Sequence, residues 1–420
     1  MKEIKIIVIG AGSRGEVYSS IIRDAKNIKV IGVAELRKVY RDKIVNAWGI
    51  PPQNVFSDYH ELLAHDKLAD AVIIALQDRM HVEAAIAFAD RKYHILLEKP
   101  MAPTAGECRD IVMAAKKNNI ILAVCHVLRF TPFTRKVKEL VDSGIIGEIV
   151  SIEHLEQVAF WHYAHSYVRG NWRNAAESSP MLLAKSCHDI DWIRYIMNCS
   201  CEKVSSFGSL YHFRPENKPK GAADRCLDCP VQVEARCQYS ARSFYFKYLN
   251  DGCRAWPINI LTPEPTPETL QDALRDGPYG RCVYSCDNDV VDHQVVNMQF
   301  ANGKTASFTL MAFTRDAMRQ TRIFGTRGEI VKIKGKLEVS DFLTGKVDVI
   351  DPNMADDGTI ISGHGGGDAG VINAFIDALR HNDPSRISSG PEISLESHLM
   401  VFAAEKARAE DRIVRMSELI

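Results

Sequence analysis

The sequence has no surplus of charge. It sets 52 Lys and Arg against 53 Asp and Glu, a formal net charge of -1 over 420 residues. Such a balance supplies no electrostatic footprint for nucleic acid or for an anionic membrane surface. No apolar run approaches the ~20 residues that a membrane-spanning helix requires. Internal repeats and low-complexity tracts are missing. With 46% hydrophobic and 25% charged residues, disorder, collagen and coiled coil are set aside. The N-terminus carries charge at once, in Lys2, Glu3 and Lys5, and offers no small-residue cleavage site. No secretory signal is therefore expected, and a cytoplasmic location is. The eleven cysteines are an odd number, without paired spacing over most of the chain. That is the pattern of free thiols in a reducing compartment, not of a disulfide framework. At roughly 150 residues per domain, the length suggests two or three domains.

The first part of the chain alternates strand and helix. Apolar strands are expected over 4–9, 29–34, 55–56, 71–76, 94–97 and 120–125, with helices over 16–24, 38–48, 59–65, 81–90 and 105–118. Strands apolar on both faces belong to a parallel sheet covered by helices. From about 147 the pattern becomes a period-2 alternation, over 149–158, 294–300, 305–313, 321–324 and 336–339. Ala301-Asn302-Gly303-Lys304 reads as a hairpin turn, because Asn and Gly accept positive φ. The expected fold class is α/β: a doubly wound parallel sheet over 1–126, then an α/β domain over 127–420 with a large open mixed or antiparallel sheet. Residues 212–290, rich in Pro, Cys and Arg, read as an irregular insertion, and the tail over 371–380 and 395–408 as helical.

Gly10-Ala11-Gly12-Ser13-Arg14-Gly15 is a G-x-G-x-x-G between an apolar strand and a helix, the context a dinucleotide fingerprint requires. Gly10 allows the tight turn, Gly12 lets backbone approach a pyrophosphate, and Gly15 permits close helix–sheet packing. The N–H groups of the helix that opens at Ser13 and Arg14 would face the phosphates. Glu35 closes the second strand, where a ribose-binding acid belongs, and favours NAD. Arg37 leaves NADP open, since it could pair with a 2′-phosphate. In Glu98-Lys99-Pro100, a lysine stands at the carboxyl end of a buried strand, where ligands of open α/β sheets bind.

These motifs, with Arg129-Phe130-Thr131-Pro132, His188-Asp189-Ile190-Asp191 and Gly325-Thr326-Arg327-Gly328-Glu329, resemble the glucose–fructose oxidoreductase/inositol dehydrogenase/rhizopine-catabolism (Gfo/Idh/MocA) family. The likeness is strongest over 1–200 and weakest in the cysteine-rich stretch. It implies a Rossmann domain, a C-terminal α/β domain and an NAD(P)-dependent oxidoreductase acting on a sugar, cyclitol or related polyol. It implies that Lys99 contacts substrate and cofactor and that His188 serves as acid/base. It further implies a homo-oligomer, with a small molecule rather than nucleic acid or membrane as partner. One departure stands out. The aspartate the family often carries four residues before the histidine is here Ala184, with Lys185 beside it as a candidate catalytic and substrate-binding group.

Gln77 and His81, at the end of the fourth strand, are expected at the cofactor with Glu98. Arg129 is expected either to orient a substrate hydroxyl or to clamp the two domains. Trp161, His162, Tyr163, His165 and Tyr167 crowd one loop, with His165 taken toward the substrate. Gly363-His364-Gly365-Gly366-Gly367-Asp368 is expected to approach the site from the far end. In the insertion, Cys226, Cys229 and Cys237 suggest a structural Zn²⁺, with an iron–sulfur cluster, free or paired cysteines and a redox pair as the other readings. Two functions compete with the dehydrogenase: a glycoside-cleaving enzyme that oxidises its sugar transiently on retained NAD, and a non-catalytic cofactor-binding sensor.

Overall fold

A computed structural model describes residues 3–23, 25–352 and 364–419. The apolar runs of the first part become six strands: β1 (Ile4–Ile9), β2 (Ile28–Ala34), β3 (Val55–Phe56), β4 (Ala71–Ile74), β5 (His94–Leu97) and β6 (Leu122–Val124). All pair in parallel, in the order β3-β2-β1-β4-β5-β6. Helices cover both faces. Phe88, Cys108 and Ile111 pack on one face, and Tyr18, Ile22 and Ile44 on the other. The order reverses between β1 and β4, which opens a crevice at their carboxyl ends. The helix expected over 16–24 runs from Ser13 to Arg23, and Asp24 lies outside the described residues.

The second sheet has nine strands: β7 (Ile149–Gln157), β8 (Cys201–Ser209), β9 (His293–Phe300), β10 (Thr305–Met311), β11 (Met318–Gly325), β12 (Gly328–Ile333), β13 (Lys336–Asp341), β14 (Val347–Ile350) and β15 (Val414–Arg415). Their order is β14-β13-β12-β11-β7-β10-β9-β8-β15, and only β7 and β10 pair in parallel. The expected turn joins β9 to β10, with Asn302 and Gly303 at φ 63° and 77°. One face packs on the helices Cys187–Met197 and Pro391–Glu410 through Trp192, Ile193, Met400 and Ala404. The helix Gly367–His381 instead returns to the first sheet, burying Val371, Ile372 and Phe375 with Val8 and Ile73.

The insertion is less irregular than its composition suggests. Helices Ala241–Asn250 and Pro267–Asp276 close a core of their own around Tyr245, Leu249, Ile258, Leu270 and Leu274. Among the described residues, no helix is long and apolar enough to cross a membrane.

Candidate functional site

The glycine loop leaves β1 at the crevice. Gly10 sits at φ 85°, and a Cβ there would stand 2.5 Å from Ala75 O. A Cβ on Gly15 would come within 2.0 Å of Gly10 O, so neither position admits a side chain. Gly12 is half-buried and Ser13 exposed, which leaves the outer face of the loop to a ligand. Behind it, Ala11 N donates to Glu35 Oε2 over 2.8 Å, which ties the loop to the end of β2. This cradle fits a dinucleotide: bare backbone for the pyrophosphate and a carboxylate at the ribose position. Arg37 donates from its backbone N and its Nε to Glu35 Oε1, at 3.0 and 2.8 Å, and lies over the Tyr40 ring. Burial alone would raise the Glu35 carboxyl, but the Arg37 hydrogen bonds outweigh it and hold the group below its ordinary value.

Arg14 turns inward, away from any phosphate. Its Nε donates to Glu98 Oε1 at 2.7 Å, and its other nitrogens reach Asp368 and Tyr18 OH. Tyr18 OH donates to the same Glu98 oxygen, and Lys99 N to the other, at 2.6 Å. Burial would raise the Glu98 carboxyl, yet the charges of Arg14 and Lys99 keep it low. These bonds engage the Arg14 side chain and the Glu98 carboxylate, whereas the phosphate contact expected of Arg14 is through its backbone N–H. The side-chain bonds lock the loop, β5 and the start of helix Gly367–His381 together. Gly363 lies outside the described residues, whereas Asp368 reaches the site as the partner of Arg14.

His81 is fully buried, its ring nitrogens 2.7 Å from Pro100 O and 3.1 Å from Leu76 O. It braces the end of β4 against the loop after Lys99, with both ring nitrogens engaged by backbone carbonyls. Gln77 is exposed at the same edge, and the next residue, Asp78, accepts from Ser179 Oγ at 2.5 Å, linking the two halves of the chain.

Lys99 projects from the end of β5, and its Nζ donates to Ala184 O at 2.6 Å. The Lys99–Pro100 bond is cis. Ala184 closes the short helix Met181–Ala184, and His188 is the second residue of the next, Cys187–Met197, so the lysine reaches the segment that leads to the histidine. The two aspartates after His188 explain how that helix is anchored. Asp189 accepts from Arg319 Nε at 2.6 Å and lies 3.0 Å from His154 Nε2, fixing the helix to β11 and β7. Asp191 takes a bidentate pair from Arg129, at 2.6 and 2.7 Å, and a bond from Ser397 Oγ. Arg129 is buried in that pair and also donates to Ser388 O, so its side chain joins three segments of residues 127–420, neither spanning the two domains nor reaching into open space. His165 is corrected too: buried, it meets Tyr245 OH at 2.8 Å and stacks on Tyr279, holding the insertion in place. Burial pushes its pKa down to about 3.

Lys185 meets a carboxylate that sequence reasoning missed. Its Nζ lies 3.0 Å from Glu156 Oε1, and Glu156 Oε2 lies 3.1 Å from Arg319 Nε. The acid absent at position 184 is thus supplied near Lys185 from β7. A signal was available, since Ile152, His154 and Glu156 share the buried phase of an alternating strand. Charges on an inward phase call for partners. Behind His188, its ring centre 6.1 Å away, lies His126, which burial lowers to about 3 and so keeps neutral.

All eleven cysteines are free thiols. Among the described residues, no three His, Cys, Asp or Glu side chains stand together so as to hold a metal ion, so the suggested Zn²⁺ ligand set is not assembled as the side chains stand. Cys226, Cys229 and Cys237 nonetheless line one cavity.

Residues 4–126 match the family model for the NAD-binding Rossmann fold of an oxidoreductase family, and residues 138–416 match that for its C-terminal alpha/beta domain. A 2,7-anhydro-N-acetylneuraminate hydratase of Escherichia coli is 29% identical, over 37% of this chain and 41% of its own. A myo-inositol 2-dehydrogenase of Thermotoga maritima is 27% identical, over 49% of this chain and 59% of its own. The chain thus spans less than two thirds of the length of the curated relatives it matches. Among solved structures, levoglucosan dehydrogenase in complex with NADH and levoglucosan shares the fold, with a TM-score of 0.70 at 18% identity over 98% of this chain and 99% of that one. Since the two family models cover nearly the whole sequence, the chain belongs to the Gfo/Idh/MocA oxidoreductase family, with its NAD-binding Rossmann fold.

Proposed function

We propose that this protein is an NAD-dependent dehydrogenase that oxidises a CH–OH carbon of a sugar, cyclitol or related polyol. One observation carries the reading: Lys99, at the carboxyl end of β5, bonds across to Ala184 O in the segment leading to His188. In this reading an ammonium group and an imidazole share one crevice, beside a glycine loop that admits a dinucleotide. Bound nicotinamide supplies the hydride acceptor. Lys99 orients the substrate hydroxyl by donating to its oxygen, and His188 accepts the hydroxyl proton. Lys185, paired with Glu156, adds a fixed positive charge that stabilises the developing alkoxide. The named substrates of the related inositol and levoglucosan dehydrogenases support the polyol class.

In this reading, residues 1–126 hold the cofactor and 127–420 the substrate and subunit contacts. The open face of the second sheet supports a homo-oligomer. Phe207 and Val295 are cross-strand partners there, 61% and 37% exposed. A cytoplasmic location is supported by the eleven unpaired thiols.

Screening sugars, cyclitols and glycosides for NAD reduction tests the proposal, and NADH should accumulate with a polyol. Glycoside cleavage without net NADH would move the assignment to the redox-assisted glycosidase, and cofactor binding without turnover to a sensor. Glu35→Gln should weaken NAD binding about tenfold or more, the worth of hydrogen bonds to a charged group. It should also narrow the preference over NADP. Titrations of both cofactors check this, and a wild-type preference for NADP would refute the role given to Glu35.

A further inference from the structure

The loop after β7 and one segment of the insertion gather aromatic rings that the proposed reaction does not use. Glu156, the partner of Lys185, is followed shortly by Trp161 and His162. Trp161 stacks on Phe244 of helix Ala241–Asn250, with ring centres 5.5 Å apart, and Tyr248 of that helix lies 6.2 Å away. Trp256 comes from further along the insertion. Its ring stands 5.5 Å from Trp161 and edge-on to His162 at 5.1 Å. Trp256 is 39% exposed, and Trp161 and His162 are half-buried.

The same segment touches the cofactor cradle. Asn259 O accepts from Tyr40 OH at 3.4 Å. Tyr40 is the ring beneath Arg37, at the ribose end of the cradle. Residues 256–259 therefore join that end to the loop after β7 and cross the mouth of the crevice. On the inner side, burial lowers the His162 pKa and the nearby charge of Lys185 lowers it further. Contacts thus lead without a break from Lys99 and Ala184, through Lys185 and Glu156, to the aromatic rings.

An exposed tryptophan alone is ordinary. A group of rings that continues a catalytic crevice toward solvent is the lining of a ligand groove. Its chemistry is amphipathic, with flat apolar faces and with indole N–H and imidazole at their edges. A sugar ring complements it, carrying C–H bonds on its faces and hydroxyls at its rim. The ring that reacts, however, is taken by Lys99 and His188. What reaches Trp161 and Trp256 is then a further ring of the same molecule.

We propose that Trp161 and Trp256 form a stacking platform for a second sugar ring, so that the substrate is a glycoside and not a free cyclitol or monosaccharide. This rests on the dehydrogenase reading. The glycosidic bond stays intact: a CH–OH carbon of one ring gives its hydride to NAD and its hydroxyl proton to His188, becoming a ketone, while the neighbouring ring only binds.

The test begins with an array of single sugars, disaccharides and longer glycans, probed with the fluorescently labelled full-length protein saturated with NAD. KM values for each bound disaccharide and for its component monosaccharide follow, read by NADH formation. The disaccharide should have a KM about tenfold lower, the worth of one good aromatic stacking contact. Trp256→Ala should abolish that advantage and Trp256→Phe restore it. Arg242→Ala, on the exposed side of helix Ala241–Asn250, should leave it in place. Equal KM values for disaccharide and monosaccharide, or a wild type that binds no glycan on the array, would overturn the proposal. So would a Trp256→Ala variant that loses NAD as much as glycan, since the platform would then serve the cofactor. Glycan bound through Trp256 with no NADH formed would uphold the platform and refute the dehydrogenase reading alone.

Discussion

His188→Ala is expected to lower kcat about 10²–10⁴-fold, the usual worth of a positioned general base, while NAD binding survives. In the proposed arrangement the glycine loop and Glu35 hold the cofactor, whereas His188 lies on the helix Cys187–Met197. Lys99→Ala should likewise lower kcat more than it weakens NAD, because its Nζ faces Ala184 and not the loop. Acting on one proton, the two groups form a unit. The double variant should then be little slower than the slower single variant. Steady-state kinetics and cofactor titrations on the three variants measure this. Multiplied losses would separate the two residues, and full activity in His188→Ala would transfer the proton to Lys185.

Asp191→Ala is expected to cost about 3–5 kcal/mol of stability, the penalty for leaving a buried partner charge uncompensated. Arg129 and Asp191 are each 1% exposed at the side chain. The loss should depend on pH. Burial alone would raise the Asp191 carboxyl, but the charge of Arg129, with the hydrogen bonds from Arg129 and Ser397, holds it below its ordinary value. A carboxylate with a depressed folded pKa stabilises the protein above its unfolded pKa of ~3.9, and the contribution fades as pH falls through the folded value. Wild type and variant should therefore differ most near neutral pH and converge in acid. Denaturant unfolding at several pH values checks the pattern. A gap that is constant across pH would show that lost packing, not lost charge, destabilises the variant.

How far the sequence alone carries the fold depends on what each element buries. β1, β4 and β5 are covered on both faces, so they read as unbroken apolar runs and were legible within a residue or two. β8, β12 and β14 were not anticipated. β14 has no buried residue, and β8 carries Glu202, Lys203 and three serines, which mute the alternation. The insertion was read as irregular because its helices are short and flanked by prolines. Their apolar residues, such as Tyr245 and Leu270, meet only across the fold. The site divides in the same way. Gly10, Gly15 and Glu35 are local in sequence and were readable from spacing. The partners of Arg14, Arg129 and Lys185 lie 354, 62 and 29 residues away, at Asp368, Asp191 and Glu156. Nothing in local pattern distinguishes a ligand-facing arginine from one that clamps two domains.

In the proposed reaction this crevice moves a hydride from a polyol carbon to NAD. Deuterium transfer tests it most directly. The protein is incubated with NAD and a polyol from the screen deuterated at its CH–OH carbons, and the cofactor is then analysed by mass spectrometry. One deuterium in the reduced nicotinamide, absent when His188→Ala replaces the wild type, is the predicted result. Reduced cofactor without deuterium, or deuterium washed into solvent with no reduced cofactor, would contradict it.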